Sequence, residues 1–155
     1  MFGGRGTWID VYDTSLYRAP EALAERLVRR GVRTAWIETA NDRSPVDVVQ
    51  PGPLGRVVDA LQARGVQVVA WYLPGHVSQA VDLRRTRAML SFRSPAGAAF
   101  DGVALDIESL REKNVKRRTT RMLALLRTVR KEAGETPVAA IAYPPRALER
   151  HASWW

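Results

Sequence analysis

Two hydrophobic periods alternate along the chain. Apolar residues at i, i+3, i+4 and i+7, namely Leu54, Val57, Val58 and Leu61, and again Met122, Leu125, Leu126 and Val129, mark helices with one core-facing stripe. Between such stretches lie short β-rich runs: TWIDVY from Thr7, TAWIET from Thr34, VQVVAWYL from Val66, GVALDIE from Gly102 and PVAAIAY from Pro137. Punctuation agrees with this division. Pro20 and Pro53 suit the first turn of the first two helices, Ser78 and Asn114 suit the caps of the third and fourth, and Gly31, Gly65 and Gly134 stand where a helix stops. The segments LVRRGVRTAW and LQARGVQVVAW repeat one helix-end-to-strand unit. The predicted order is βαβαβαβαβ.

Strands alternating with helices call for a parallel sheet, either closed into a barrel or open and doubly wound. Strand starts recur about every 32 residues, so eight units need about 260, near the size of a (β/α)8 barrel. A doubly wound strand is apolar on both faces, whereas these strands alternate. Trp8, Asp10 and Tyr12 share one face of the first strand, Trp36 and Glu38 one face of the second, and Ala104, Asp106 and Glu108 one face of the fourth. The expectation is therefore a single domain over 1–155, the N-terminal part of a TIM-type (β/α)8 barrel with four βα units and a fifth strand. The alternative is a five-stranded doubly wound α/β domain. In the barrel reading the end at Trp155 is a truncation, and the first and fifth strands are open edges that invite self-association.

Composition narrows the chemistry. The 155 residues are 46% hydrophobic and 26% charged, which excludes a disordered tail. No run reaches the roughly 20 uncharged residues of a membrane helix. Lys+Arg exceed Asp+Glu by 24 to 16, giving +8, but the excess is Arg spread along helices and not a clustered nucleic-acid footprint. The expected partner is neither nucleic acid nor membrane. With no Cys and two His, thiolate nucleophiles, cysteine zinc sites and three-histidine metal sites are excluded. No cofactor is expected. MFGGRGTWID lacks the apolar core of a secretory signal, so the location is cytoplasmic if Met1 is the true start and extracytoplasmic if the chain is a fragment.

The acidic residues at strand ends carry the candidate chemistry. Asp106 and Glu108, two apart on a strand, point the same way, and one can stay protonated while its partner stays ionised, the division of labour used on glycosides. Asp10 and Glu38 converge with them if the strands adjoin. Each alone also suits a plainer role, accepting loop amides. Pyranose faces stack on aromatic rings, which makes Tyr12, Trp71, Tyr72, Tyr143, Trp154 and Trp155 candidate sugar contacts, while Trp8 and Trp36 read as packing residues. His76 reads as an exposed loop histidine. GGRG precedes a strand, so it is not a phosphate loop.

FDGVALDIES, residues 100–109, resembles the fourth-strand signature DGxDxDxE of the chitinases of glycoside hydrolase family 18, matching at Asp101, Gly102, Asp106 and Glu108, with Ala104 in place of the middle Asp. The resemblance implies Glu108 as general acid and Asp106 as the residue that orients the substrate's N-acetyl group. TWIDVYD and ALDIE also resemble, over a shorter span, the family 25 muramidases, which pair a first-strand Asp with a later DxE; this implies Asp10 with Asp106 and Glu108. Across most of its length the chain is similar to bacterial glycoside-hydrolase-like barrel proteins. The function implied is hydrolysis or recognition of a β-linked, N-acetylated glycan. Two rivals share the residues: a non-catalytic glycan-binding module, and a barrel enzyme using the four carboxylates to hold Mg²⁺ or Mn²⁺.

Overall fold

The computed structural model describes residues 2–143. Five strands, β1 (Arg5–Ile9), β2 (Val32–Asn41), β3 (Gln67–Leu73), β4 (Gly102–Asp106) and β5 (Val138–Ile141), form one parallel sheet in the order β1-β2-β3-β4-β5. Helices α1 (Pro20–Arg29), α2 (Pro51–Gln62), α3 (Gln79–Ser91) and α4 (Val115–Glu132) connect them, with a 3-10 turn over Thr14–Arg18 ahead of α1. The protein is α/β. Its sheet is not closed, because β1 and β5 each have a single strand neighbour among the described residues.

Sequence alternation decides what each face of the sheet meets. Ile9, Ala35, Ile37, Val68, Ala70, Tyr72, Val103 and Leu105 form one cluster with Leu23 and Leu27 of α1, Leu54, Val57, Val58 and Leu61 of α2, Met89 of α3, and Leu125 and Val129 of α4. All four helices thus pack on one face. The strand order also lacks the reversal of a doubly wound sheet, whose helices lie on both faces. On the opposite face a smaller cluster of Val69, Trp71 and Ala104 gathers Phe2, Trp36, Leu73, Ala139 and Ile141, with no helix residue in it.

The helices begin where the caps predict. Ser78 Oγ accepts the Val81 N–H at 3.4 Å and Asn114 Oδ1 accepts the Arg117 N–H at 2.9 Å, each satisfying one of a first turn's spare donors. Pro20 opens α1, while α2 starts at Pro51, two residues earlier than Pro53 suggests. Gly31 and Gly65 adopt φ of 74° and 73° in the turns after α1 and α2, a region a side chain resists.

Strand ends depart from simple alternation. β1 stops at Ile9 because Asp10 folds a turn about itself: its Oδ1 accepts the Tyr12 N–H at 2.9 Å and its carbonyl accepts the Asp13 N–H at 2.9 Å. Tyr12 therefore lies beyond the strand and is exposed. Within β2 the register skips Thr39, whose hydroxyl donates to the Trp71 carbonyl at 3.1 Å. This extra residue turns Ala40 to the helix face and Asn41 to the other.

Buried polar residues brace the loops that follow the strands. Tyr72 donates its hydroxyl to Asp82 Oδ1 at 2.7 Å, and Asp82 Oδ2 accepts the His76 N–H at 3.0 Å. Arg85, buried beside Tyr72, donates to the carbonyls of Asn41, at 2.7 Å, and Ser44. Arg121 of α4 donates to the Val77 carbonyl at 2.7 Å and to Glu112 Oε2 at 3.0 Å. Three successive loops are tied by side chains from α3 and α4. Among the described residues no helix is long and apolar enough to cross a membrane.

Candidate active site

A cleft of about 900 Å³ opens over the C-terminal ends of the strands, on the helix-free side. Its lining includes Asp10 just past β1, Glu38 and Asn41 of β2, Trp71 and Leu73 of β3, and Asp106 at the end of β4. Register explains the convergence. Glu38 pairs with Trp71, Trp71 pairs with Ala104, and Asp106 lies two residues beyond Ala104 on the same face. Asp10 follows Ile9, which pairs with Ile37, so it stands beside Glu38. The Asp10–Glu38 pair and Asp106 thus flank Trp71 from either side.

Glu38 is the most buried of these carboxyls, at 3% exposure, and accepts the Val11 N–H at 3.1 Å. Burial pushes it up to about 7; the Val11 N–H pulls it partway down, while the Asp10 charge and a hydrogen bond with Asp10 push it up again. Near neutral pH it is divided between acid and carboxylate. Asp106 is raised by burial, with the Glu108 N–H, 3.0 Å from its Oδ1, opposing the shift. Trp71 is 9% exposed, and its indole N–H finds no acceptor among the described residues.

The structure separates the predicted residues into three groups. Asp10, Tyr12, Glu38, Trp71 and Asp106 line one cleft. Glu108 does not line it: β4 ends at Asp106, whose side chain bends back onto the Glu108 N–H, so the alternation that places Glu108 alongside Asp106 ends with the strand. Glu108 instead hydrogen-bonds Tyr143, and its carboxyl is raised by burial and by Asp106. Tyr143 meets the site through this contact. Tyr72 is corrected outright. It faces the helices, is fully buried, and cannot touch a ligand in the cleft. Trp154 and Trp155 lie outside the described residues.

Two further expectations change. His76 is buried, with φ of 56°, and burial lowers its pKa; neither ring nitrogen has a partner among the described residues. Trp8 is 53% exposed on the helix-free face, stacked on Trp36 at 5.1 Å and edge-on to Trp71 at 5.9 Å. Asn41, Asp42, Arg43, Ser109, Arg111 and Lys113 also line the cleft without having been singled out from sequence. Their signal was positional, since each lies at or just after the C-terminal end of a strand, but the bulge that turns Asn41 inward has no sequence mark.

Among the described residues no group of three or more carboxylate or imidazole side chains is gathered closely enough to hold a metal ion. Comparison with family models, with curated proteins and with solved structures returns no match.

Proposed function

We propose that the cleft is a glycoside-hydrolase-like site for a β-linked, N-acetylated glycan, set in a sheet of (β/α)8-barrel type. The single observation that carries this reading is the placement of Asp10, Glu38 and Asp106 around Trp71 at the C-terminal ends of adjacent parallel strands. Barrels build their active sites at that end, and the sequential strand order with helices on one face is a barrel's arrangement. Trp71 offers a ring edge or face to a pyranose, and carboxyls on either side meet the groups that change charge when a glycosidic bond breaks.

Proton supply is supported best at Glu38. Its burial keeps a share of the carboxyl protonated at neutral pH, the condition for giving a proton to a departing sugar oxygen. Asp106, across Trp71, then stabilises the positive charge that develops on the ring as that bond breaks; water adds to the anomeric carbon and gives its proton to Glu38, which the first step left ionised. Glu108, the donor implied by the chitinase resemblance, is held by Tyr143 at the edge of the site.

The test is turnover of chitin, peptidoglycan and plain β-glucans by the parent protein and by Glu38→Gln, Glu108→Gln and Asp106→Asn. Glu38→Gln is expected to fall by roughly 100-fold with binding retained, the usual scale of general-acid catalysis. A fall confined to Glu108→Gln moves the donor role to the residue of the resemblance. The second reading is a non-catalytic glycan-binding module, favoured by Ala104 in place of the signature's middle Asp and by Glu108 outside the cleft lining. Binding of one glycan by a parent that cleaves none selects it.

A further inference from the structure

The mouth of the cleft is cationic where its floor is acidic. Arg43 stands on the loop after β2, and Arg111 and Lys113 on the loop after β4, so the cations come from opposite sides of β3. Arg111 is committed to Asp42 by an ion pair of 2.9 Å. Arg43 and Lys113 form no ion pair among the described residues. Exposed cations are ordinarily solvated and mobile, but the backbone beneath these two is fixed.

On the first loop, the Arg43 N–H donates to Asn41 Oδ1 at 3.0 Å, and the carbonyls of Asn41 and Ser44, on either side of Arg43, are both held by Arg85, which is 5% exposed. On the second, Glu112 precedes Lys113 and is 8% exposed; its carboxylate accepts the Asn114 N–H at 3.0 Å and the Arg121 guanidinium at 3.0 Å. Burying Arg85 and Glu112 is costly without partners; Arg85 finds them in the carbonyls of the first loop, and Glu112, on the second, finds them in the Asn114 N–H and in Arg117 and Arg121 of α4. The result is two cationic side chains carried on braced backbone and lining a sugar-sized cleft.

We infer that the cleft takes an acidic glycan, with a carboxylate or sulfate group of one sugar unit held between Arg43 and Lys113 while the neighbouring unit lies over Trp71. This rests on the glycan reading and names its substrate class. Charge also fixes the direction of entry. An anionic group is repelled from Asp10 and Asp106 on the floor and attracted at the mouth, so the glycosidic oxygen, which is neutral, is the part left to meet the floor carboxyls.

The experiment measures affinity by calorimetry for four tetrasaccharides: hyaluronan, hyaluronan with its carboxyls reduced to alcohols, chondroitin sulfate and chitotetraose. The hyaluronan fragment is expected to bind at least 10-fold more tightly than its reduced form at low salt, with the advantage shrinking as salt rises. That advantage disappears in the Arg43→Ala/Lys113→Ala double variant and survives in Arg26→Ala, on α1 away from the cleft. Tighter binding of the chondroitin sulfate than of hyaluronan assigns sulfate as the preferred group; equal or weaker binding assigns carboxylate. Chitotetraose or reduced hyaluronan binding as tightly as the acidic fragments, or a double variant that keeps the preference, overturns the inference and leaves the glycan reading standing. Absence of binding to all four overturns the inference, and the glycan reading falls with it if chitin, peptidoglycan and plain β-glucans are also neither bound nor cleaved. Circular dichroism of the double variant separates lost recognition from lost folding.

Discussion

Glu38 sets the stability of the protein against pH as well as its chemistry. Its folded value of about 7 lies above its ordinary 4.5, so the folded state binds more protons than the unfolded one between those limits. Stability is fully present below pH 4.5, falls as pH rises through that window and levels off above 7. At about 1.4 kcal/mol per unit the loss is on the order of 3 kcal/mol. Urea titrations from pH 4 to 8 should show the parent losing more stability with rising pH than Glu38→Gln, which lacks this contribution. His76 acts in the opposite sense, because its lowered folded pKa removes stability as pH drops below 6.5. At the other end of the helix-free face, a Cβ at Gly102 would collide with the Phe2 ring and lie 3.2 Å from the Pro137 carbonyl, while Phe2 packs edge-on to Trp36 at 5.8 Å. Gly102→Ala should cost about 1–3 kcal/mol by overpacking and alter tryptophan fluorescence. The loss should be smaller when Phe2→Ala is already present, and a double variant that shows full additivity would deny the contact.

Each helix depends on a few terminal residues more than on its length. α4 begins with a well-placed 2.9 Å bond accepted by Asn114 from the Arg117 N–H, and Asn114→Ala should lower stability by about 1 kcal/mol, measured by urea unfolding. Ser78→Ala should cost less, since the 3.4 Å bond it removes is long. The same elements show how far a sequence speaks. All five strands and four helices, both capping residues and the stripe of α2 were legible, because local periods of 2.0 and 3.6 and the chemistry of turns act over a few residues. The placement of Asp10, Glu38 and Asp106 on one face followed from alternation. Alternation failed wherever a strand ended or slipped. The turn at Asp10 took Tyr12 off the strand although it still lines the cleft, the bend at Asp106 took Glu108 out of the lining, and the bulge at Thr39 recruited Asn41. Tyr72 was misread for a related reason: at the end of β3 adjacent residues face opposite ways, and aromatic character does not say which of Trp71 and Tyr72 meets solvent. The bracing by Arg85 and Arg121 joins residues some 40 positions apart, which no local pattern records.

For the molecule as a whole, the open ends of the sheet matter most. β1 and β5 each leave one row of backbone donors and acceptors without a strand partner among the described residues, and Trp8 is exposed beside the first of them. The chain is expected to self-associate as concentration rises, seen as a growing sedimentation coefficient; a Trp8→Lys variant should weaken the effect. A concentration-independent monomer would show that these edges are protected. A parallel sheet with every crossover on one side also has two unlike ends. The turns carrying Gly31, Gly65 and Gly134 precede β2, β3 and β5, while the cleft carboxyls lie in the C-terminal half of a strand or beyond it and the rim cations on the loops that follow. The protein therefore has a natural handle: a dye, a linker or a solid support attached at those glycine turns leaves the mouth facing the medium, and the same attachment at Ser109 or Leu110 stoppers it.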